Sequence, residues 1–137
     1  MGFNSFSLYI HWPFCTIKCP YCDFNSYKKI NIDNGKWLEG YLKSIDAWAS
    51  LYSQKKKISS IFFGGGTPSL LDPKFVELLI QKIDKLWVIN SDCEISIEAN
   101  PNSVSEKKFK RLRDIGINRV SIGVQSLSNK DLKSLGR

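Results

Sequence analysis

The chain has 137 residues, of which 42% are hydrophobic and 24% are charged, and its excess of Lys and Arg over Asp and Glu gives a formal net charge of +7. This composition is typical of one globular domain and argues against a disordered or fibrous chain. No apolar run approaches the roughly 18 residues that a membrane span requires, and no basic stretch precedes an apolar block at the N-terminus. We therefore expect no membrane span, no secretory signal and a cytoplasmic location.

Strand and helix patterns alternate along the chain. The helices are marked by apolar residues at helical spacing, and Asp33 or Asn34, Asp72 and Ser105 are their expected N-caps. The predicted strands are residues 7–11, 58–63, 93–98 and 119–124; the predicted helices span 33–52, open at Asp72-Pro73, run from Ser105-Glu106 to Gly116, and begin again over 129–135. The βαβαβαβ order predicts an α/β fold with a parallel sheet and right-handed crossovers.

Three of the four cysteines, Cys15, Cys19 and Cys22, fall in one loop directly after the first predicted strand. A disulfide framework would suit cysteines spread evenly through a secreted chain, and a structural zinc site would need His11 as its fourth ligand. Three thiolates in a short loop favour a [4Fe–4S] cluster with one iron open to a non-protein ligand. Cys93, at the start of a strand, is interpreted as a buried apolar residue.

Unusual residues follow each of the other strands, where the carboxyl ends of parallel strands meet and ligands bind. The run 64–66 is three glycines, which suits either a flexible turn or close approach of the backbone to a ligand. Glu98 and Gln125 hold matching places after strands three and four, and Tyr9 could face the same edge. Glu98 could also be a solvated carboxylate and Arg137 a solvated terminal cation, although a guanidinium suits a carboxylate ligand.

Together these motifs resemble the radical S-adenosylmethionine (SAM) superfamily, and within it the family of HemW-type heme chaperones and oxygen-independent coproporphyrinogen III oxidases. The resemblance spans essentially the whole chain and rests on residues 9–15, 21–24, 64–69, 98–101, 121–126 and 135–137. It implies a partial TIM barrel with a [4Fe–4S] cluster on Cys15, Cys19 and Cys22. It also implies SAM contacts at Tyr9, Tyr21, Gly65, Gly66, Thr67, Glu98, Gln125 and Arg137.

The residue at position 24, which is phenylalanine in this chain, distinguishes the two branches of this family. The oxidases carry a further cysteine at that position, and the heme chaperones do not. The resemblance therefore favours a chaperone that binds heme and passes it to an acceptor protein. The alternatives are an enzyme, the SAM-dependent oxidative decarboxylation of coproporphyrinogen III, and an inactive fragment that keeps only the motifs. No heme ligand is assigned.

The resemblance further implies that residues 1–137 form a truncated radical SAM core, about the first half of its barrel, with residues 14–24 as the cluster loop. The open sheet then leaves the fourth strand with a free edge, so we expect an association-prone fold. The lysines at 55–57 and the basic residues between 107 and 113 are interpreted as solvated surface rather than a nucleic-acid interface.

Overall fold

The computed structural model describes residues 5–52 and 56–137. Its strands are β1 (Ser5–Trp12), β2 (Phe14–Cys15), β3 (Tyr27–Lys28), β4 (Lys57–Gly65), β5 (Val88–Ala99) and β6 (Arg119–Ile122), and its helices are α1 (Asn34–Leu51), α2 (Pro73–Leu86), α3 (Glu106–Asp114) and α4 (Asn129–Ser134). Short 3-10 turns follow β4 at Pro68–Leu70 and β5 at Pro101–Ser103. None of the described helices is long and apolar enough to cross a membrane.

The main sheet has the strand order β1-β4-β5-β6, and every pairing in it is parallel. Strands that follow one another along the chain through α1, α2 and α3 therefore lie side by side, as in the wall of a barrel. The predicted parallel α/β architecture is confirmed. All four strands point their carboxyl ends to the same edge, which places the predicted loops together.

The helix starts follow from their capping residues. The side chain of Asp33 accepts hydrogen bonds from the N–H groups of Gly35 and Lys36, and the side chain of Asp72 accepts from the N–H of Lys74. These bonds satisfy donors that the first turn of a helix leaves without partners. The predicted N-caps at these positions are confirmed.

The core lies between the sheet and the helices. On β4 and β5 the alternate residues Ile61, Phe63, Ile95 and Ile97 are buried, and they pack in one cluster with the apolar face of α2, including Leu79. Phe62 and Glu98 lie at intervening positions and are half-buried. Because side chains alternate across a strand, the second face of the sheet carries the residues that surround the predicted site.

Several strand boundaries differ from the sequence prediction, all by one or two residues except the start of β5. β5 starts at Val88, five residues before the predicted start at position 93, and β6 ends at Ile122, two residues before position 124. β5 pairs with β4 at Lys57↔Val88 and again after a register shift between Ile58 and Ser60. The irregular stretch breaks the two-residue alternation, so the pattern marks only the regular half of the strand.

Tyr41 connects α1 to the end of β1, and this contact gives the fold a pH dependence. Its hydroxyl donates a hydrogen bond to the carbonyl of His11, and burial raises the pKa of Tyr41 to about 12 from 10.0. Because the folded state disfavours the ionised phenol, its contribution to stability is complete below about pH 10 and is lost as the pH rises toward 12. Urea unfolding at neutral and alkaline pH should show this loss. Tyr41→Phe should remove the part of the alkaline loss that is due to Tyr41 and should cost about 1 kcal/mol of stability at neutral pH. An alkaline loss that is unchanged in this variant would contradict the assignment.

Candidate functional site

A cavity of about 300 Å³ opens at the carboxyl edge of the sheet, between the cysteine loop and the loops that follow β4, β5 and β6. Its walls contain all three clustered cysteines and most of the side chains that the sequence predicted for this edge. The predicted residues in its lining are Cys15, Cys19, Cys22, Tyr21, Gly65, Gly66, Thr67, Glu98, Gln125 and Arg137. These ten residues, which are dispersed along the sequence, therefore lie around one cavity.

The cysteine loop is closed by backbone hydrogen bonds rather than by a disulfide. All four cysteines are free; Cys15, Cys19 and Cys22 are half-buried, while Cys93 is buried in β5, away from them. The N–H of Cys22 donates to the carbonyl of Cys19 at 3.0 Å, and the N–H of Lys29 donates to the carbonyl of Cys15 at 2.7 Å. Within residues 5–52 and 56–137, no group of three His, Cys, Asp or Glu side chains is arranged to hold a single metal ion.

His11 joins β1 to the far end of this loop. Its Nε2 lies 3.0 Å from the carbonyl oxygen of Asn25, which can only accept, so Nε2 carries the proton. In the neutral ring Nδ1 is then the acceptor for the Tyr9 hydroxyl at 3.2 Å. Both ring nitrogens are engaged, and the arrangement suits a residue that fixes the loop rather than the fourth zinc ligand considered from the sequence.

The loop that contains the three glycines 64–66, which we call the glycine loop, lies directly against the cysteine loop. The N–H of Gly66 donates to the carbonyl of Trp12 at 2.7 Å, and the N–H of Thr67 donates to that of Phe14 at 2.9 Å. A Cβ atom on Gly66 would stand 2.9 Å from the Phe14 oxygen and 3.0 Å from Cys15 Sγ. Close approach, rather than flexibility, is therefore the reason for glycine at this position.

A hydrogen bond joins Glu98 to Gly65. The N–H of Gly65 donates to Oε2 of Glu98 at 3.0 Å, and both residues line the cavity. Gly65 has φ +113°, a backbone conformation that favours glycine. The carboxylate that the sequence indicated as either a ligand contact or a solvated side chain therefore also holds the glycine loop in place.

The far wall of the cavity comes from the segment after β6. Arg137 donates from Nη1 to the carbonyl of Gly123 at 2.7 Å, and Gln125 takes φ +69°. Across the cavity, partial burial raises the pKa of Tyr21; a hydrogen bond with Cys19 adds to this rise, and the nearby Arg137 charge opposes it. This wall therefore brings a cation close to the cysteine loop.

Tyr9 is the predicted site residue that does not line this cavity. Its ring stacks on that of Phe62, with centroids 5.8 Å apart and an interplanar angle of 15°. Partial burial raises the pKa of Tyr9, and the negative charge of Glu98 adds to the rise. Tyr9 thus lies beside the site, where its hydroxyl contacts His11 and its ring lies against Gly64.

Some lining residues were not predicted from the sequence. Ser26 is buried in the cavity wall, and its Oγ has no hydrogen-bond partner in the described part of the chain; the same holds for Nε of Arg137. Buried polar atoms are rarely left without partners, so both atoms offer hydrogen bonds to a polar ligand. Nothing in the spacing around Ser26 indicated this role, since it depends on how the cysteine loop folds back.

The donor set suits two kinds of ligand side by side. Three thiols of one loop are the ligand type of iron–sulfur clusters, and they lie beside a carboxylate, a guanidinium and open glycine backbone. The carboxylate can accept from ammonium or hydroxyl groups, and the guanidinium can donate to a carboxylate. An α/β sheet with such a site at the carboxyl ends of its strands defines the class of protein.

That class is the radical SAM superfamily, whose sequence model matches residues 9–137, and the chain belongs to it. Among curated relatives, the chain is 42% identical over 132 residues to the heme chaperone HemW of Escherichia coli (strain K12). This alignment covers 96% of the chain and 35% of the relative. It is also 36% identical over 136 residues to radical S-adenosyl methionine domain-containing protein 1, mitochondrial, of Bos taurus, covering 99% of this chain and 30% of the relative.

The fold is also similar to a solved structure, that of coproporphyrinogen III oxidase (HemN) from Escherichia coli, described as a radical SAM enzyme. The TM-score is 0.87 at 30% sequence identity, and the match covers 96% of this chain and 30% of the other. The predicted partial radical SAM fold is therefore confirmed. The chain spans about a third of the length of the curated relatives it matches.

Proposed function

We propose that this chain holds a [4Fe–4S] cluster through Cys15, Cys19 and Cys22 and binds SAM beside it, as part of a heme chaperone that passes heme to an acceptor protein. The observation that carries the proposal is that the three thiols and seven of the eight residues assigned to SAM by resemblance line one cavity. A cluster there would supply one-electron chemistry and an iron open to a non-protein ligand.

The polar groups of the cavity suit the methionine end and the ribose of SAM. Glu98 has a second carboxylate oxygen beyond the one bonded to Gly65, and it can accept from the ammonium or ribose hydroxyls. Arg137 and Ser26 carry buried polar atoms without partners in the described ranges, and these can bind the carboxylate. The chain's own role is to orient SAM against the cysteine loop and to limit water access there.

The heme assignment rests on sequence relatives. The 42% identity to a heme chaperone and the phenylalanine at position 24 both favour the chaperone over the enzyme. A coproporphyrinogen III oxidase is the second candidate, supported by the similarity to HemN. In either case the described sheet would supply the first strands of a radical SAM core. The free thiols of the four cysteines suit a reducing compartment such as the cytoplasm.

Anaerobic reconstitution with iron and sulfide tests the cofactor part of this proposal. We expect iron and sulfide in the ratio of a [4Fe–4S] cluster, and an electron paramagnetic resonance signal of the reduced protein that shifts when SAM is added. Absence of a cluster would contradict the proposal and favour the inactive fragment. A cluster that does not respond to SAM would contradict the SAM site. Formation of 5′-deoxyadenosine and protoporphyrinogen IX from coproporphyrinogen III would favour the oxidase.

A further inference from the structure

Two short 3-10 turns lie behind the candidate site. The turn at Pro68–Leu70, which we call the β4 turn, begins directly after Thr67, and the turn at Pro101–Ser103, the β5 turn, begins directly after Asn100. Thr67 and Asn100 both line the cavity, whereas Ser69 in the β4 turn is only 1% exposed. A contact between the two turns therefore acts on the wall of the cavity from behind.

The two turns are joined through a pair of serine hydroxyls. Oγ of Ser103 donates to the carbonyl of Asn100 at 2.7 Å and therefore has no second proton to give. The Ser69 hydroxyl is then the donor in the hydrogen bond between the two serine side chains. Both hydroxyl oxygens also accept from the N–H of Asn100, at 3.3 Å for Ser69 and 3.2 Å for Ser103. These bonds fix the β4 turn to the first residue after β5.

Lys108, on α3, holds the backbone of the β4 turn. Its Nζ donates to the carbonyl of Ser69, and its backbone N–H donates to Oγ of Ser105, the N-cap of α3, at 3.3 Å. Ser105 follows the β5 turn by two residues. Lys108 therefore ties the turn after β4 to the start of the helix that follows β5.

The ammonium of Lys108 is partly withdrawn from water to make this bond. Lys108 is half-buried, and burial lowers the pKa of its ammonium; the charge of Asp72 opposes this shift and that of Lys29 adds to it. Because water competes less for a desolvated donor, a charged hydrogen bond is stronger there than at an exposed position. The bond to Ser69 is therefore more than a surface contact.

We propose that Lys108 is a positioning residue of the SAM site: by fixing Ser69, and through it Asn100, it sets the spacing between the glycine loop and the loop after β5. This inference rests on the proposed SAM site and adds a residue that lies outside its cavity. On the cavity side the same two loops are joined by the hydrogen bond from Gly65 to Glu98. A change at Lys108 should therefore alter the spacing of the SAM-binding groups while the cysteine loop keeps its own backbone bonds.

SAM titration of the reconstituted 137-residue chain, followed by the SAM-induced shift of the electron paramagnetic resonance signal, tests this role. Lys108→Met removes the ammonium and keeps a side chain of similar length. It should retain the full iron and sulfide content and weaken SAM binding about tenfold. Lys107→Met makes the same chemical change at an exposed position of α3 and should bind SAM like the unmodified chain. A lysine that only stabilised the fold would leave the SAM affinity of the cluster-loaded protein unchanged.

Ser103→Ala tests the serine pair and leaves the charge of Lys108 in place. It should weaken SAM binding about threefold. Both changes act through Ser69, so the double variant should lose less affinity than the product of the two single effects.

An unchanged SAM affinity in Lys108→Met would overturn the positioning role and leave the proposed SAM site standing. So would loss of the cluster in a folded Lys108→Met chain, or effects that multiply in the double variant. If Lys108→Met does not fold, an unchanged affinity in Ser103→Ala overturns the role by itself. An unmodified chain that forms a cluster without responding to SAM would overturn both the role and the SAM site.

Discussion

Replacing any one of Cys15, Cys19 and Cys22 by alanine is expected to abolish the reconstituted cluster, with iron content and the near-ultraviolet and visible charge-transfer absorbance falling to background. In the proposed cluster each thiolate would hold a different iron, so the loss of one would leave an iron without its protein ligand. Removing one of these half-buried thiols should cost little folding stability, because the loop is closed by backbone bonds such as that from Lys29 to Cys15. Iron and sulfide analysis after gel filtration measures the effect.

Cys93→Ala is the matched control, because Cys93 is a free thiol buried in β5 and lies outside the cavity. It should keep full cluster content and cost about 1 kcal/mol through a small cavity. Equal loss of iron in all four variants would mean that iron binds thiols without selection. Retention of a SAM-responsive signal in any of the three loop variants would show that its cysteine is not a ligand.

The architecture was predictable from the sequence because it depends on local signals. Asp72-Pro73 and Asp33 specify helix starts, and a strand such as 58–63 is apolar enough to require burial on one face. The extra residues of β5 were not predictable, because the register shift opposite Ile58 and Ser60 is set by pairing with β4. The pairing of β2 with β3 was not predictable either, because two residues are too few to show the alternation of a strand.

Like the fold, the candidate site was predictable from the sequence only in part. Parallel strands bring their carboxyl ends together, so motifs following successive strands had to meet, and ten of the eleven residues named from the sequence line the cavity. Tyr9 does not, because its ring lies against Phe62 and Gly64 rather than beside the cysteine loop. The partnerless Ser26 and the bond between Glu98 and Gly65 are long-range contacts, for which spacing along the chain carries no signal.

These contacts make the glycine loop the connection between the cysteine loop and Glu98. Gly66 is bonded to the carbonyl of Trp12, Thr67 to that of Phe14, and Gly65 to the carboxylate of Glu98. The three bonds lie on consecutive residues, so they cannot be kept if the backbone of this loop rotates. The position of the thiols relative to Glu98 therefore depends on Gly65 more than on any side chain of the loop.

Gly65→Ala is accordingly expected to destabilise the chain by about 3 kcal/mol, lowering its melting temperature by roughly 10 °C. Its φ of +113° is strained for alanine, and the added Cβ would stand 2.6 Å from His11 Nδ1 and 2.8 Å from the backbone oxygen of Trp12. The ring can shift, but the strand backbone cannot move without disturbing β1. Thermal unfolding followed by circular dichroism measures the change.

Gly40→Ala provides the control, since Gly40 lies within α1 and its Cβ would meet nothing within 4 Å. There the same chemical change should stabilise the chain by up to about 1 kcal/mol, because alanine is the better helix former. The two substitutions should therefore act in opposite directions. If Gly65→Ala melted like the unmodified chain, the loop would tolerate another backbone conformation, and the bonds joining it to Trp12 and Glu98 would not be what holds the cavity together.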